Sequence, residues 1–183
     1  MFTLTEPWLS FLNELDALIQ APLCITCMGG FVVKSCYGLQ RNTVDIDALV
    51  LEPSNQSLPV EKLAGFGSPL YTKYHVYIQQ VPAIVTIPCD HQDRLLLLDT
   101  PSLSKITLYA LEAHDLALSK LERNDPRDRI DVQHLAAQGH ITAKTLIERY
   151  HEEHRLYLLG DLHRYDRTLN LWLNLCWPDQ YPA

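Results

Sequence analysis

The stretch from Leu23 to Leu51, LCITCMGGFVVKSCYGLQRNTVDIDALVL, decides how the chain is read. Its first six residues, Leu23 to Met28, are a short apolar run and predict a buried strand. Gly29 and Gly30 follow, then a helical stretch from Phe31 to Tyr37 that Gly38 closes. After the loop 39–42, a second strand is expected from Thr43 to Leu51. Alternate residues of a strand share a face. That puts Val44, Ile46, Ala48 and Val50 on one side and Asp45, Asp47, Leu49 and Leu51 on the other. The two carboxylates thus meet at the strand's beginning, about 7 Å apart. Ionised and poorly solvated, they repel each other, and a divalent cation relieves that repulsion. Mg²⁺ (or Mn²⁺) suits such hard oxygen ligands, because Mg²⁺ commonly takes one or two carboxylates together with substrate phosphates. Two such ions about 3.5–4 Å apart clamp an in-line phosphoryl displacement. The glycine pair supplies the complement: backbone N–H groups free to approach an anion, at the start of a helix. A lone glycine pair is usually a turn and a lone D-x-D an exposed strand start. Together, in a strand–GG–helix–strand order, they are far more specific.

Outward from this unit, a first helix is expected from about Thr5, with Pro7 in its first turn. Trp8, Phe11, Leu12, Leu15, Leu18 and Ile19 form its apolar face, and Ala21-Pro22 ends it. Residues 53–59 read as a loop and 61–64 as a helical turn. Strands are expected over 71–80, 83–87, 95–98 and 106–111. The second half reads as helices: 115–123, one capped by Asp125 with Pro126 at its first position, 145–159, and one marked by Leu162, Tyr165, Leu169, Trp172 and Leu173. This is an α/β or α+β order with helices packed behind the sheet.

The chain has 183 residues, enough for one domain with a short helical appendage. Fifteen Lys and Arg against 22 Asp and Glu give a net charge of -7, which argues against a broad basic surface for nonspecific nucleic-acid binding. No apolar run approaches the roughly 20 residues of a membrane span. The acidic N-terminus, without a basic n-region, predicts no signal peptide. Five scattered cysteines then read as reduced thiols of a cytoplasmic protein. Cys24 and Cys27 form a CxxC inside an apolar strand rather than at a helix N-terminus, so a thiol-redox function is the weakest reading. His151-Glu152-Glu153-His154 lacks the i,i+4 histidine spacing of a zinc helix and reads as a solvated helix face. Trp172 and Trp177, with Tyr165 and Tyr181, read as a packing stripe.

Gly29, Gly30, Arg41, Thr43, Asp45, Ile46 and Asp47 together resemble the GG…R-x-T-x-D-I-D pattern of polymerase-β-type nucleotidyltransferases. His114 to Leu121 followed by Arg127 to Val132 resembles the D-L-x-x-x-K-L…R-x-D-x-x-D-V segment of the DUF6036 nucleotidyltransferase family and, more distantly, of AbiEii-type toxins. Pro88 to Leu95 fits the same family. The resemblance covers about residues 25–138. It implies a small mixed sheet of that type with flanking helices: a core over 1–138 and a helical C-terminal segment, 139–183, packed on it. It further implies transfer of a nucleoside monophosphate from an NTP to an RNA (tRNA among them) or protein acceptor, in a toxin-like setting with a cognate antitoxin as partner and no membrane. Asp45 and Asp47 would hold the metal, with Gly29, Gly30, Arg41 and Thr43 against the nucleotide. Lys120 would meet the triphosphate as a point charge, and Asp128 or Asp131 would orient it or the acceptor. The bland alternative is Asp128 in the favourable first turn of its helix and Arg127 paired with Asp131 at i,i+4. The pattern also wants a third carboxylate from a neighbouring strand. Residues 71–80 and 83–87 contain no acid; Lys73 and His75 stand there instead, Lys73 counted among the nucleotide-binding residues. The general base is therefore unassigned, and a nucleotide- or partner-binding module that lost turnover is the competing reading.

Overall fold

The computed structural model describes residues 2, 4–53, 55, 57–81 and 85–182, with side chains 57 and 58 left aside. It divides into two compact units, 1–83 with 95–111, and 84–94 with 112–183. Residues 113–137, expected with the core, lie in the second unit beside the C-terminal helices.

The first unit holds a five-stranded mixed sheet in the order β3-β2-β1-β5-β4. Its strands are β1 (Leu23–Met28), β2 (Asp45–Glu52), β3 (Tyr77–Gln80), β4 (Leu96–Leu97) and β5 (Ile106–Ala110). β1 runs antiparallel to β2 and parallel to β5; β3 runs parallel to β2. Among the described residues, the helices of this unit are α1 (Trp8–Leu18), α2 (Gly29–Tyr37), α3 (Ser57–Ala64) and α4 (Pro69–Tyr74). α2 packs on β1 and β2, and α3 on β3. The apolar positions of α1 behave as their spacing predicts: Trp8, Phe11, Leu12 and Leu15 are buried, and Trp8 meets Phe31 of α2 edge to face. Asp16, in the last turn of α1, is buried too. It accepts the backbone N–H groups of Ser104, Lys105 and Ile106 at 2.7–3.1 Å, anchoring the entry to β5. Burial alone would raise its carboxyl, but these bonds hold it below the ordinary range.

Register corrects the expected faces of β2. Thr26 pairs with Val50 but Cys27 with Ala48, so Leu49 is an extra residue, a β-bulge. Before it, Ile46 and Ala48 share a face with Cys27. Past it the parity flips, and Leu51, opposite Ile25, joins that buried face while Val50 turns to the other. Ile78, Leu108 and Ala110 complete the buried face. Asp45 and Asp47 lie on the opposite, more open face, both half-buried.

The segment 71–80 is not one strand. Ser68 caps α4 by accepting the N–H of Tyr71, Pro69 sits at its first turn, and His75, in the left-handed region at φ 58°, ends it. Only Tyr77–Gln80 is strand. Helix α3 likewise starts inside the expected loop, at Ser57. Of the strand expected over 83–87, residues 83 and 84 lie outside the described residues, and 85–87 are not strand.

The second unit is helical: α5 (Ala113–Leu118), α6 (Pro126–Ala137), α7 (Ala143–Arg149) and α8 (Leu162–Cys176). Asp125 caps α6 as its sequence predicts, and Asp128 returns the bond to complete a capping box. The helix expected over 145–159 ends as α at Arg149. A wider π turn, Tyr150–His154, and a 3-10 turn, Arg155–Tyr157, follow. Trp172 and Tyr165 are buried, and the Trp172 indole donates to Asn124 Oδ1 at 3.0 Å. No helix among the described residues is long and apolar enough to cross a membrane.

Candidate active site

β1 delivers its chain directly into α2 through Gly29, whose φ of +68° lies in the left-handed region that side chains disfavour. Strand register sets Met28 opposite Asp47, and the Asp47 carboxylate folds over Gly29. A Cβ at Gly29 would overlap Asp47 Oδ2 and come within 2.9 Å of its Cγ. At Gly30 a Cβ would run into the Arg41 guanidinium, 3.1 Å from its Cζ, and into Thr43 Oγ1 at 3.2 Å. The Thr43 hydroxyl in turn donates to Asp45 Oδ1 at 3.0 Å. Six residues that the sequence places between 29 and 47 therefore converge: both glycines, Arg41, Thr43, Asp45 and Asp47. The helix begins at Gly29 itself, two residues earlier than its sequence suggests, so the glycines form its first turn.

Beside the aspartates, on edge strand β3, Tyr77 is registered with Asp45 and Gln79 with Asp47. These, and not Lys73 and His75, occupy the neighbouring-strand positions next to the carboxylates. The Tyr77 phenol is pushed up by burial first and by the charges of Asp45 and Asp47 next. Lys73 projects from α4 and pairs with Glu14 of α1 at 2.5 Å.

The carboxylate pair fits Mg²⁺. By strand alternation the two acids share one face, and the close approach that only glycine allows leaves backbone beside them rather than side chain. Two carboxylates plus substrate phosphates is an ordinary Mg²⁺ donor set. Among the described residues, three metal-capable side chains cluster elsewhere, at Cys89, Asp90 and Glu153, where Glu153 already accepts from Arg94.

The other candidates sit in the second unit. Lys120 is 4% exposed, its ammonium 3.0 Å from Asp131 Oδ2 and 3.7 Å from Asp128 Oδ1. Asp128 also accepts two bonds from Arg123. Asp128 and Asp131 thus gather around a buried lysine, a contact that the i,i+4 spacing of Arg127 and Asp131 does not announce. Near it, Asp115 is fully buried between the guanidinium groups of Arg94 and Arg149, and Glu112 takes His114 and Arg149. Burial pushes the Glu112 carboxyl up, but His114 and Arg149 outweigh it and hold it at about 2.

The remaining motifs are not gathered into sites. Cys27 is fully buried and Cys24 partly so. Burial raises both thiols, the reverse of what a reactive thiolate needs. His154, expected on a solvated face, is fully buried, with Nε2 3.1 Å from the Thr86 carbonyl; His151 is exposed. The exposed aromatic edge around Phe66 was missed by sequence reasoning. Its signal was the G-F-G at 65–67, a turn that sets a large apolar ring outside any periodic segment.

A family model described as a nucleotidyltransferase of unknown function (DUF6036) matches residues 10–175. That span covers most of the chain and both units. Among curated proteins and among solved structures, nothing matches.

Proposed function

The chain belongs to this nucleotidyltransferase family, and from that premise we propose that it moves a nucleoside monophosphate from an NTP to a hydroxyl of an RNA or protein acceptor. In that reaction the acceptor oxygen bonds to the α-phosphorus and its proton passes to water, the bond to the β-phosphate oxygen breaks, and pyrophosphate leaves with the electron pair. The observation that carries the reading is the seating of Asp47 over Gly29, a contact no residue with a Cβ could allow. Asp45 and Asp47 would hold Mg²⁺, which when bound supplies positive charge to the triphosphate. Gly29 and Gly30 would leave their backbone open to phosphate oxygens at the first turn of α2. Thr43, by donating to Asp45, keeps that carboxylate turned toward the site. A tRNA acceptor and a toxin-like role with a cognate antitoxin are the finer form of the same proposal.

A second reading, binding without turnover, is favoured by one observation: β3 presents Tyr77 and Gln79 beside the aspartates, so it offers no base for the acceptor proton. One experiment decides between them. Purified protein is incubated with each α-labelled NTP, Mg²⁺ and total RNA, and label is followed in RNA and protein. Asp45→Asn should abolish transfer; equal labelling by this variant removes the metal assignment. Retained Mg²⁺-dependent NTP binding with no transfer by the wild type selects the second reading.

A further inference from the structure

The proposed reaction leaves unused an aromatic cluster at the sheet edge. Phe66 is 74% exposed. It sits in the turn between α3 and α4, closed by the Ser68 N–H donating to the Gly65 carbonyl at 3.1 Å. Its ring lies 4.7 Å from that of Tyr71 and 5.5 Å from that of Tyr77, and the two tyrosine rings are 5.8 Å apart. Phe66 is therefore positioned by two other rings instead of by the core, with most of its surface left to water. Tyr77 ties the cluster to the aspartates: it is the registered neighbour of Asp45, one strand spacing away, roughly 4.8 Å.

The same edge holds a cavity of about 230 Å³ whose walls include Val60, Glu61, Phe66, Tyr77, Gln79 and Gln80. That is below the roughly 300–1,000 Å³ of a pocket that engulfs a drug-sized ligand. It suits a single ring system and not a whole nucleotide. The wall carries no cation: it offers two aromatic rings, two amides and one carboxylate, Glu61, with the Gln79 amide registered beside Asp47. Phosphate has no partner in such a wall. A nucleobase does: every base has a π-face for an aromatic ring and a polar edge for an amide.

We infer that Phe66, Tyr71 and Tyr77 form the stacking platform for the base of the nucleotide whose phosphates the Asp45–Asp47 end receives. The inference rests on the nucleotide reading above and adds where the base goes. Aromatic stacking tolerates any base, so the platform binds purines and pyrimidines alike, and discrimination falls to the polar side chains of the wall, Glu61, Gln79 and Gln80.

The test separates base from phosphate. Mg²⁺ complexes of the four NTPs, and of inorganic tripolyphosphate as the base-free probe, are titrated into the full chain by calorimetry. Phe66→Ala, a change at an exposed ring that spares the core, should weaken NTP binding roughly ten-fold and leave tripolyphosphate within about two-fold. Phe66→Trp should restore NTP affinity. Equal loss for both probes, or no loss for either, overturns the platform. So does a wild type that binds tripolyphosphate as tightly as NTP, while the phosphate site survives. A wild type that binds neither probe overturns the nucleotide reading and the platform with it. If the wild type sediments as a dimer that Phe66→Ala dissociates, the rings join two copies of the chain and the platform is likewise overturned.

Discussion

Two carboxylate pairs in this protein look alike on paper and differ in physics. Asp45 and Asp47 lie on an open sheet face, half-buried, one steadied by a hydroxyl and the other folded over glycine. Asp128 and Asp131 are fully buried around Lys120, itself almost fully buried, with a guanidinium on Asp128 as well. Buried charges are costly unless they are matched, and the second cluster matches them. The first cluster stands on an open face, where a soluble cation and its phosphates can reach it. The proposed chemistry thus falls to the carboxylates that solvent reaches, and the pair already matched by a lysine is read as architecture.

The sharpest way to break this contrast is Lys120→Met. It leaves two buried carboxylates facing no ammonium and should cost about 3–5 kcal/mol of stability, read as a lowered urea midpoint. If the variant keeps its stability and loses label transfer, Lys120 acts in catalysis and the contrast fails. Gly29→Ala probes the other side. The new Cβ must displace the Asp47 carboxylate, so label transfer should fall by roughly a hundred-fold, the effect of a misplacement on the order of 1 Å, while the urea midpoint moves much less. Unchanged transfer would separate Asp47 from the reaction.

Acid sharpens the contrast by pH. Glu112 of the second unit sits at about 2 when folded, against an ordinary 4.5. A depressed carboxyl contributes stability that is complete above its unfolded value and is lost as pH falls through the folded one. Urea midpoints should therefore decline between about pH 4.5 and 2. In Glu112→Gln that decline should be shallower; an identical slope would assign the acid loss to other groups, Asp16 among them.

Much of the candidate site could be read before any coordinates, because its parts are local. The glycine pair, Arg41, Thr43 and the D-x-D fall within nineteen positions of one another, and strand alternation alone orients the acids. The α6 cap at Asp125-Pro126 was legible for the same reason. What escaped was set by caps and partners that no periodicity announces. Tyr74, Val76 and Ile78 alternate like a strand, yet the cap at Ser68 and the left-handed His75 make helix of the first part. The bulge at Leu49 is defined only against β1. Phe66, Tyr71 and Tyr77 lie on a turn, a helix and a strand, and no periodicity joins them. The cluster around Lys120 joins residues eight and eleven positions apart, which no i,i+4 rule announces.

The single extra residue at Leu49 works as a phase shifter within one strand. Upstream of it, the odd positions address solvent and carry the acids; downstream, the odd position Leu51 addresses the interior. One β-strand thus serves two masters whose requirements never compete for the same parity. Repacking beneath the far end can proceed without turning an aspartate, and the acidic end can be rewritten without opening a hole in the core.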